Sequence, residues 1–274
     1  TRPLSTITRT WRKRATTTHQ GVRILFNVGV LTPRFLLYGL IRRNIYMRKK
    51  YILLDLDGTL TDSSEGITKS VQYALEKMGI TENDMAVLKR YIGPPLNESF
   101  TRFHGLSDED SLKAVAYYRE RYADTGLYEN KLFDGIKEFL AGLKKEGYIV
   151  ALATCKPEIY VPTILKHFDI EQYFDVAVGS ELEGGKRRHK DDVIEEGISQ
   201  IIKLKDIPAT DIYDVKADAI MIGDRKDDVL GAKDAGIESI GLRYGFAEAD
   251  ELENAGADYI LENVEDILPF LNQM

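Results

Sequence analysis

The stretch Tyr51-Ile-Leu-Leu-Asp-Leu-Asp-Gly-Thr-Leu-Thr-Asp62 decides how the rest of the chain is read. Tyr51 to Leu54 form a continuous apolar run that stops on acids, the pattern of a parallel strand buried on both faces. Asp55 and Asp57 lie two residues apart, so their side chains can face one space. Gly58 lets the chain turn sharply just after them. Ligands of open α/β sheets bind outside the carboxyl ends of the strands. A strand ending in carboxylates is therefore a candidate wall of a site.

Downstream, Ile67, Val71, Ala74, Leu75 and Met78 recur at helical spacing and predict a helix over 65–78, closed by Gly79. Further helices are expected at about 82–90, 95–103 and 107–124, with no strand evident before Tyr148. From there the rhythm changes. Helix 134–146, capped by Asp134, leads into strand 148–153, helix 157–167, strand 174–178 and helix 190–203. Strand 219–222, helix 227–235, strand 237–242, strand 259–261 and helix 265–271 complete the chain. Alternating strands and helices imply a parallel sheet covered on both faces. The expected fold class is α/β, a Rossmann-like parallel sheet core with an inserted all-helical cap domain. The core is assigned to 47–65 and 134–274, and the cap to 66–133.

Composition agrees with a folded globular chain. Of 274 residues, 43% are hydrophobic and 30% charged, which excludes collagen-like, fibrous and wholly disordered classes. The single cysteine, Cys155, excludes an intramolecular disulfide framework and a multi-cysteine zinc site. It fits a reducing compartment, and a cytoplasmic location is expected. No charge-free apolar run reaches the length of a membrane span. Residues 1–46 hold nine Lys/Arg and no acid, so a net charge of −7 for the whole chain leaves −16 on residues 47–274. An acidic body disfavours nucleic acid and anionic membrane as partners. The basic leader itself reads as a start set too far upstream, as sequence appended to the natural protein, as a transit segment or as a docking arm. Met47, four residues before the first strand, is where a compact domain could begin.

Three strand ends carry unusual polar residues: Asp55 and Asp57, then Thr154-Cys155-Lys156-Pro157, then Asp224-Arg225-Lys226-Asp227-Asp228. Any one of these acids alone reads as a helix cap or turn former. Converging, Asp55, Asp57 and Asp224 would be costly without a shared proton or a cation between them. Oxygen ligands with open positions suit Mg²⁺, which keeps waters and binds substrate phosphate.

With these residues in view, the chain resembles the haloacid dehalogenase superfamily, and within it the phosphoglycolate phosphatase-like branch with a helical cap. DLDGTLTDS at 55–63 is similar to the first motif of that family, Thr154 to the second, Lys190 after GGKRRH to the third, and GDRKDD at 223–228 to the fourth. Tyr91-Ile-Gly-Pro-Pro95 resembles the branch's substrate-facing cap loop, which marks Tyr91, Gly93 and Pro94. The resemblance implies a Mg²⁺-dependent phosphomonoesterase acting on a small phosphorylated metabolite, as monomer or dimer. It implies that Asp55 is the nucleophile and Asp57 the general acid and base. Asp55, the Asp57 carbonyl and Asp224 would hold Mg²⁺. Thr154, the Cys155 amide and Lys190 would bind the phosphoryl group, and Asp228 would orient Lys190 or a metal-bound water. Lys186, Arg187 and Arg188 compete with Lys190 for its role, but the start of a helix favours Lys190. A sugar-phosphate mutase, a phosphonate hydrolase and a non-catalytic regulatory protein are rival readings of the same core. The presence of every motif acid speaks against the last.

Overall fold

Six apolar runs become one parallel sheet in the computed structural model, which describes residues 49–182 and 185–274. The expectations for residues 1–46 and for Met47 fall outside those residues. The strands are β1 (Tyr51–Leu54), β2 (Thr61–Asp62), β3 (Lys131–Leu132), β4 (Ile149–Pro157), β5 (Val176–Ser180), β6 (Ala219–Gly223), β7 (Glu238–Leu242) and β8 (Tyr259–Leu261). The large sheet has the order β5-β4-β1-β6-β7-β8.

The runs are apolar at every position because both faces of the sheet are covered. Along β1, Ile52 and Leu54 belong to one core cluster and Leu53 to the other. β6 divides in the same way, with Ile220 and Ile222 on one side and Met221 on the other. Helices Ile136–Lys145, Val161–His167 and Val264–Leu271 pack on the Ile52 face. Lys190–Leu204, Ile212–Ala217 and Lys226–Ala235 pack on the Leu53 face.

Two consequences of this order position the site. β1 connects toward β4 and β6 toward β7, so the topological switch point, where α/β sheets bind ligands, lies between β1 and β6. Asp55 and Asp224 directly follow these two strands, and the Asp55 amide still donates to the Ile222 carbonyl at 3.0 Å.

Between β1 and β4 the chain makes a helical excursion through Ser64–Lys77, Met85–Lys89, Leu96–His104 and Asp108–Arg121, the last running on into a π-turn at Tyr122–Gly126. β2 and β3 pair antiparallel at its base, Thr61 against Leu132 and Asp62 against Lys131. These two-residue strands are absent from the sequence reading, being too short to carry alternation. The six- and five-residue helices Ile212–Ala217 and Glu251–Ala255 escaped it for the same reason. The helix expected to be capped by Asp134 begins instead at Ile136 behind Gly135, which adopts the left-handed conformation. β4 also runs past its expected end at Ala153, with a register shift against β5, as far as Pro157.

The excursion is packed backbone to backbone where its first and last helical turns meet. A Cβ on Gly66 would stand 1.9 Å from the Gly126 carbonyl oxygen, whereas one on Gly197, within Lys190–Leu204, would meet Leu53 at an ordinary 3.5 Å. Gly66→Ala is therefore expected to destabilise the protein by about 1–3 kcal/mol through overpacking. Gly197→Ala is expected to stabilise it by up to ~1 kcal/mol through helix propensity. Urea unfolding of the two variants reads both signs.

Candidate active site

At the carboxyl ends of β1, β4 and β6 a single buried ammonium joins three parts of the chain. Lys190, the first residue of its helix, donates from Nζ to the Ala153 carbonyl at 3.1 Å and pairs with Asp55 Oδ1 at 2.8 Å and Asp228 Oδ1 at 2.7 Å. The contact with Ala153 is a hydrogen bond, and those with the two carboxylates are ion pairs. Burial would lower its pKa, but the charges of Asp228 and Asp55 overcome this and raise it well above the ordinary lysine value. Of the competing basic residues, Lys186 is exposed, Arg187 pairs with Glu158 and Glu181, and Arg188 donates to the Gly185 carbonyl.

Asp224 is fully buried on the other side of Asp55. It accepts from Thr59 Oγ1 at 3.1 Å and from the Phe246 amide at 2.7 Å. Gly58, at φ +88°, allows the close turn that brings the chain onto this carboxylate, since a Cβ there would lie 2.2 Å from Asp224 Oδ2. Oxygens of Asp55, Asp224 and Asp228 all lie within 4.8 Å of one another. Three buried carboxylates lie together and one ammonium pairs with two of them, so the fully ionised cluster is two positive charges short. An all-oxygen donor set with that deficit fits a hard divalent cation. The crowding favours the protonated form of the acids. Burial, with the charges of Asp228 and Asp55, raises Asp224 well above the usual carboxylate range. Burial pushes Asp55 up to about 6, Lys190 working against it and Asp228 adding to it.

The sequence reading put Asp228 outside the ligand set, whereas the structure brings its carboxylate into the cluster and also pairs it with Lys190. The Asp57 carboxylate is not part of that group of three. Its Oδ2 accepts from Lys156 Nζ at 2.6 Å. Lys156 has no role among the sequence expectations, which end β4 at Ala153. On the longer strand Thr154 and Lys156 are two apart and share a side, the signal that could have found it. Thr154 is buried, and its hydroxyl oxygen accepts from the Lys156 amide at 3.2 Å. Burial pushes the Cys155 thiol up to about 12, which keeps it protonated and unreactive.

Above these strand ends lies a cavity of about 470 Å³, with Asp55, Asp57, Thr154 and Lys190 on its floor. Tyr91, Gly93 and Pro94 line it from the helical side, as do Tyr118 and Tyr122, whose rings stack 5.2 Å apart. Arg225 ties the two sides together. Its Nε donates to Glu251 Oε1 at 2.8 Å and its Nη1 to the Ile92 carbonyl at 2.5 Å, pinning the 91–95 loop to the end of β6. The sequence reading took only the acids from GDRKDD, so Arg225 and its partner Glu251 were missed.

A doubly covered parallel sheet with carboxylates at its switch point and a helical excursion after β1 defines a class of hydrolase. Residues 52–242 match the family model described as haloacid dehalogenase-like hydrolase, and the chain belongs to that family. Within it the chain is an enzyme of the phosphatase kind. A 5'-nucleotidase of Pseudomonas aeruginosa is 44% identical over 210 residues, 77% of this chain and 90% of that one. The tyrosine-protein kinase PtkA of Mycobacterium tuberculosis is 36% identical over 211 residues, 76% of this chain and 67% of that one. A phosphoglycolate phosphatase of Vibrio parahaemolyticus is 27% identical, covering 80% of this chain and 94% of that one. The crystal structure of a predicted phosphatase from Clostridium acetobutylicum superposes with a TM-score of 0.73 at 42% identity, over 82% of this chain and 99% of that one. Among the described residues no helix is long and apolar enough to cross a membrane.

The raised Asp55 carboxyl has a consequence for stability. Unfolding returns it from about 6 to an ordinary 3.8, so between these values the folded state binds more protons than the unfolded one. Stability from this group is full below 3.8 and falls as pH rises toward 6. In metal-free buffer, Asp55→Asn is expected to be more stable than the unaltered protein at pH 7, by on the order of 1–3 kcal/mol. The difference should close as pH falls to 4. Urea unfolding at the two pH values measures it, and an advantage independent of pH would refute the account.

Proposed function

We propose that this chain is a Mg²⁺-dependent phosphomonoesterase that hydrolyses a small soluble phosphate ester, of the phosphoglycolate or nucleoside-monophosphate kind, through an aspartyl-phosphate on Asp55. The observation that carries this reading is the cluster of Asp55, Asp224 and Asp228, two positive charges short even with Lys190 paired to Asp55 and Asp228, beneath a cavity that Asp55, Asp228 and Lys190 line. Asp55, Asp224 and Asp228, with the Asp57 carbonyl, would hold Mg²⁺, which when bound offsets the repulsion between a carboxylate and a phosphate dianion. We further propose that 66–133 acts as a cap on a core formed by 47–65 and 134–274. The single cysteine suits a reducing cytoplasm.

The residues divide the work as follows. A carboxylate oxygen of Asp55 attacks phosphorus, and Asp57 gives a proton to the leaving oxygen as its bond to phosphorus breaks. The Thr154 hydroxyl and the Cys155 amide donate to the phosphoryl oxygens, and Lys190 lends its charge to the same group. Asp57 then takes a proton from water as that water attacks phosphorus, which frees Asp55 and releases inorganic phosphate. The cavity walls supplied by Tyr91, Gly93 and Pro94 would read the leaving group and exclude bulk water. The likeness to a 5'-nucleotidase supports nucleoside monophosphates as the first esters to try.

Hydrolysis of a panel of phosphomonoesters by the full chain tests the reading. Turnover is expected with Mg²⁺, none with chelator, and a loss of at least ~10³-fold in Asp55→Asn, the scale of removing a nucleophile. A folded protein that binds Mg²⁺ and turns over no ester would sink the proposal and bring the mutase forward.

A further inference from the structure

Lys156 belongs to none of the motifs that carry the family likeness, yet its ammonium is as deeply placed as that of Lys190. Its side chain is 4% exposed. The Nζ atom lies 2.6 Å from Asp57 Oδ2 and 4.9 Å from the centroid of the Tyr122 ring, which the helical excursion supplies. The other carboxylate oxygen of Asp57, Oδ1, is buried and accepts no hydrogen bond. Asp57 itself lines the cavity beside Asp55 and Thr154. One oxygen is thus tethered and the other has no hydrogen-bond partner.

The chemistry of that arrangement is asymmetric. An ammonium can only donate, so an oxygen that accepts from Lys156 is a poor place for a second proton. A proton held by Asp57 therefore sits on Oδ1. We propose that Lys156 is the positioning residue of Asp57, selecting Oδ1 as the atom that carries the transferable proton and holding the carboxylate still while it does so. The inference rests on the phosphomonoesterase reading above and deepens it. In the first half of the reaction the Oδ1 proton passes to the leaving oxygen as its bond to phosphorus breaks and the Asp55–phosphorus bond forms. In the second half Oδ1 takes a proton from the attacking water as the Asp55–phosphorus bond breaks. Lys156 keeps its own protons throughout. The Tyr122 face seats the ammonium by a cation–π contact, so the same helical element that roofs the cavity also holds the tether in place.

Leaving-group dependence separates this role from a merely structural one. p-Nitrophenolate leaves without a proton, whereas the 5'-alkoxide of AMP, or the alkoxide of phosphoglycolate if that ester is faster, needs one. In the full chain with Mg²⁺, Lys156→Gln is expected to lower kcat on the alkyl ester by ~10²-fold or more, with KM changed far less, the scale of losing a general acid. With p-nitrophenyl phosphate the pre-steady-state burst of nitrophenolate should slow by less than ~10-fold, followed by slow turnover because the second half still needs Asp57 as base. Lys156→Arg, which can still donate to Oδ2, should recover much of the loss. Equal slowing of the burst and of the alkyl ester, or no effect on either, overturns the inference. If Lys156→Gln fails to fold, Lys156→Ala with added ethylammonium gives the second reading: regain of alkyl-ester turnover supports the role and absence of regain refutes it. An unaltered enzyme that cleaves neither ester brings down the phosphatase reading itself, and this inference with it.

Discussion

The buried ammonium of Lys190 is the contact on which the rest of the site depends. Its three partners, one carbonyl and two carboxylates, come from the end of β1, the body of β4 and the helix after β6, elements far apart in the sequence. A buried charge is tolerated only when its partners are well placed, and because acids outnumber the one ammonium here, loss of Lys190 would leave Asp55 and Asp228 uncompensated. The lysine therefore fixes the relative positions of three strand ends more strictly than apolar packing, which accepts small slips. It also lets Asp55 and Asp228 stand close together without mutual repulsion expelling one of them. The raised carboxyls of Asp55 and Asp224 show that this compensation is incomplete. The fold holds the site in a state that the surrounding core has to support.

That support comes from the doubly covered sheet. Because alternate residues of β1 and β6 are anchored in separate core clusters, neither strand can slide by one residue without exchanging the contents of both. The register that packs Ile52 and Leu53 on opposite faces is the same register that delivers Asp55 beside Asp224. Arg225 extends this rigidity to the helical side, since one guanidinium spans Glu251 and the carbonyl of Ile92. The loop that lines the cavity is held by a residue that directly follows Asp224.

Much of this was legible in the sequence because it depends on strand ends. Asp55, Asp57, Thr154, Asp224 and Asp228 each follow an apolar run or sit one helical turn beyond it, and Lys190 opens a helix whose periodicity is plain. Even with periodicity correct, the site could not be completed. Lys156 lies on four residues of strand whose polar composition reads as loop, so its side of the sheet was invisible. The pairing of Asp57 with Lys156, and not with the other acids, is a choice among rotamers that spacing does not encode. Arg225 and Glu251 meet across 26 positions, and Glu251 lies in a five-residue helix too short to show a period. The antiparallel pair at residues 61–62 and 131–132 left no pattern for the same reason.

That small ladder has a consequence for how the molecule is assembled. By joining Asp62 to Lys131 it draws the two ends of an excursion of roughly 70 residues together, so the sheet meets the excursion as a closed loop whose entropic cost rises only as the logarithm of its length. Residues can be added to or removed from the excursion at small cost to the sheet, provided the ladder remains. The cavity walls supplied by the excursion are thereby uncoupled from the carboxylates at the strand ends. One set of strand-end carboxylates can stand beneath differently shaped walls, so the cavity can change its outline without a change to any carboxylate below it.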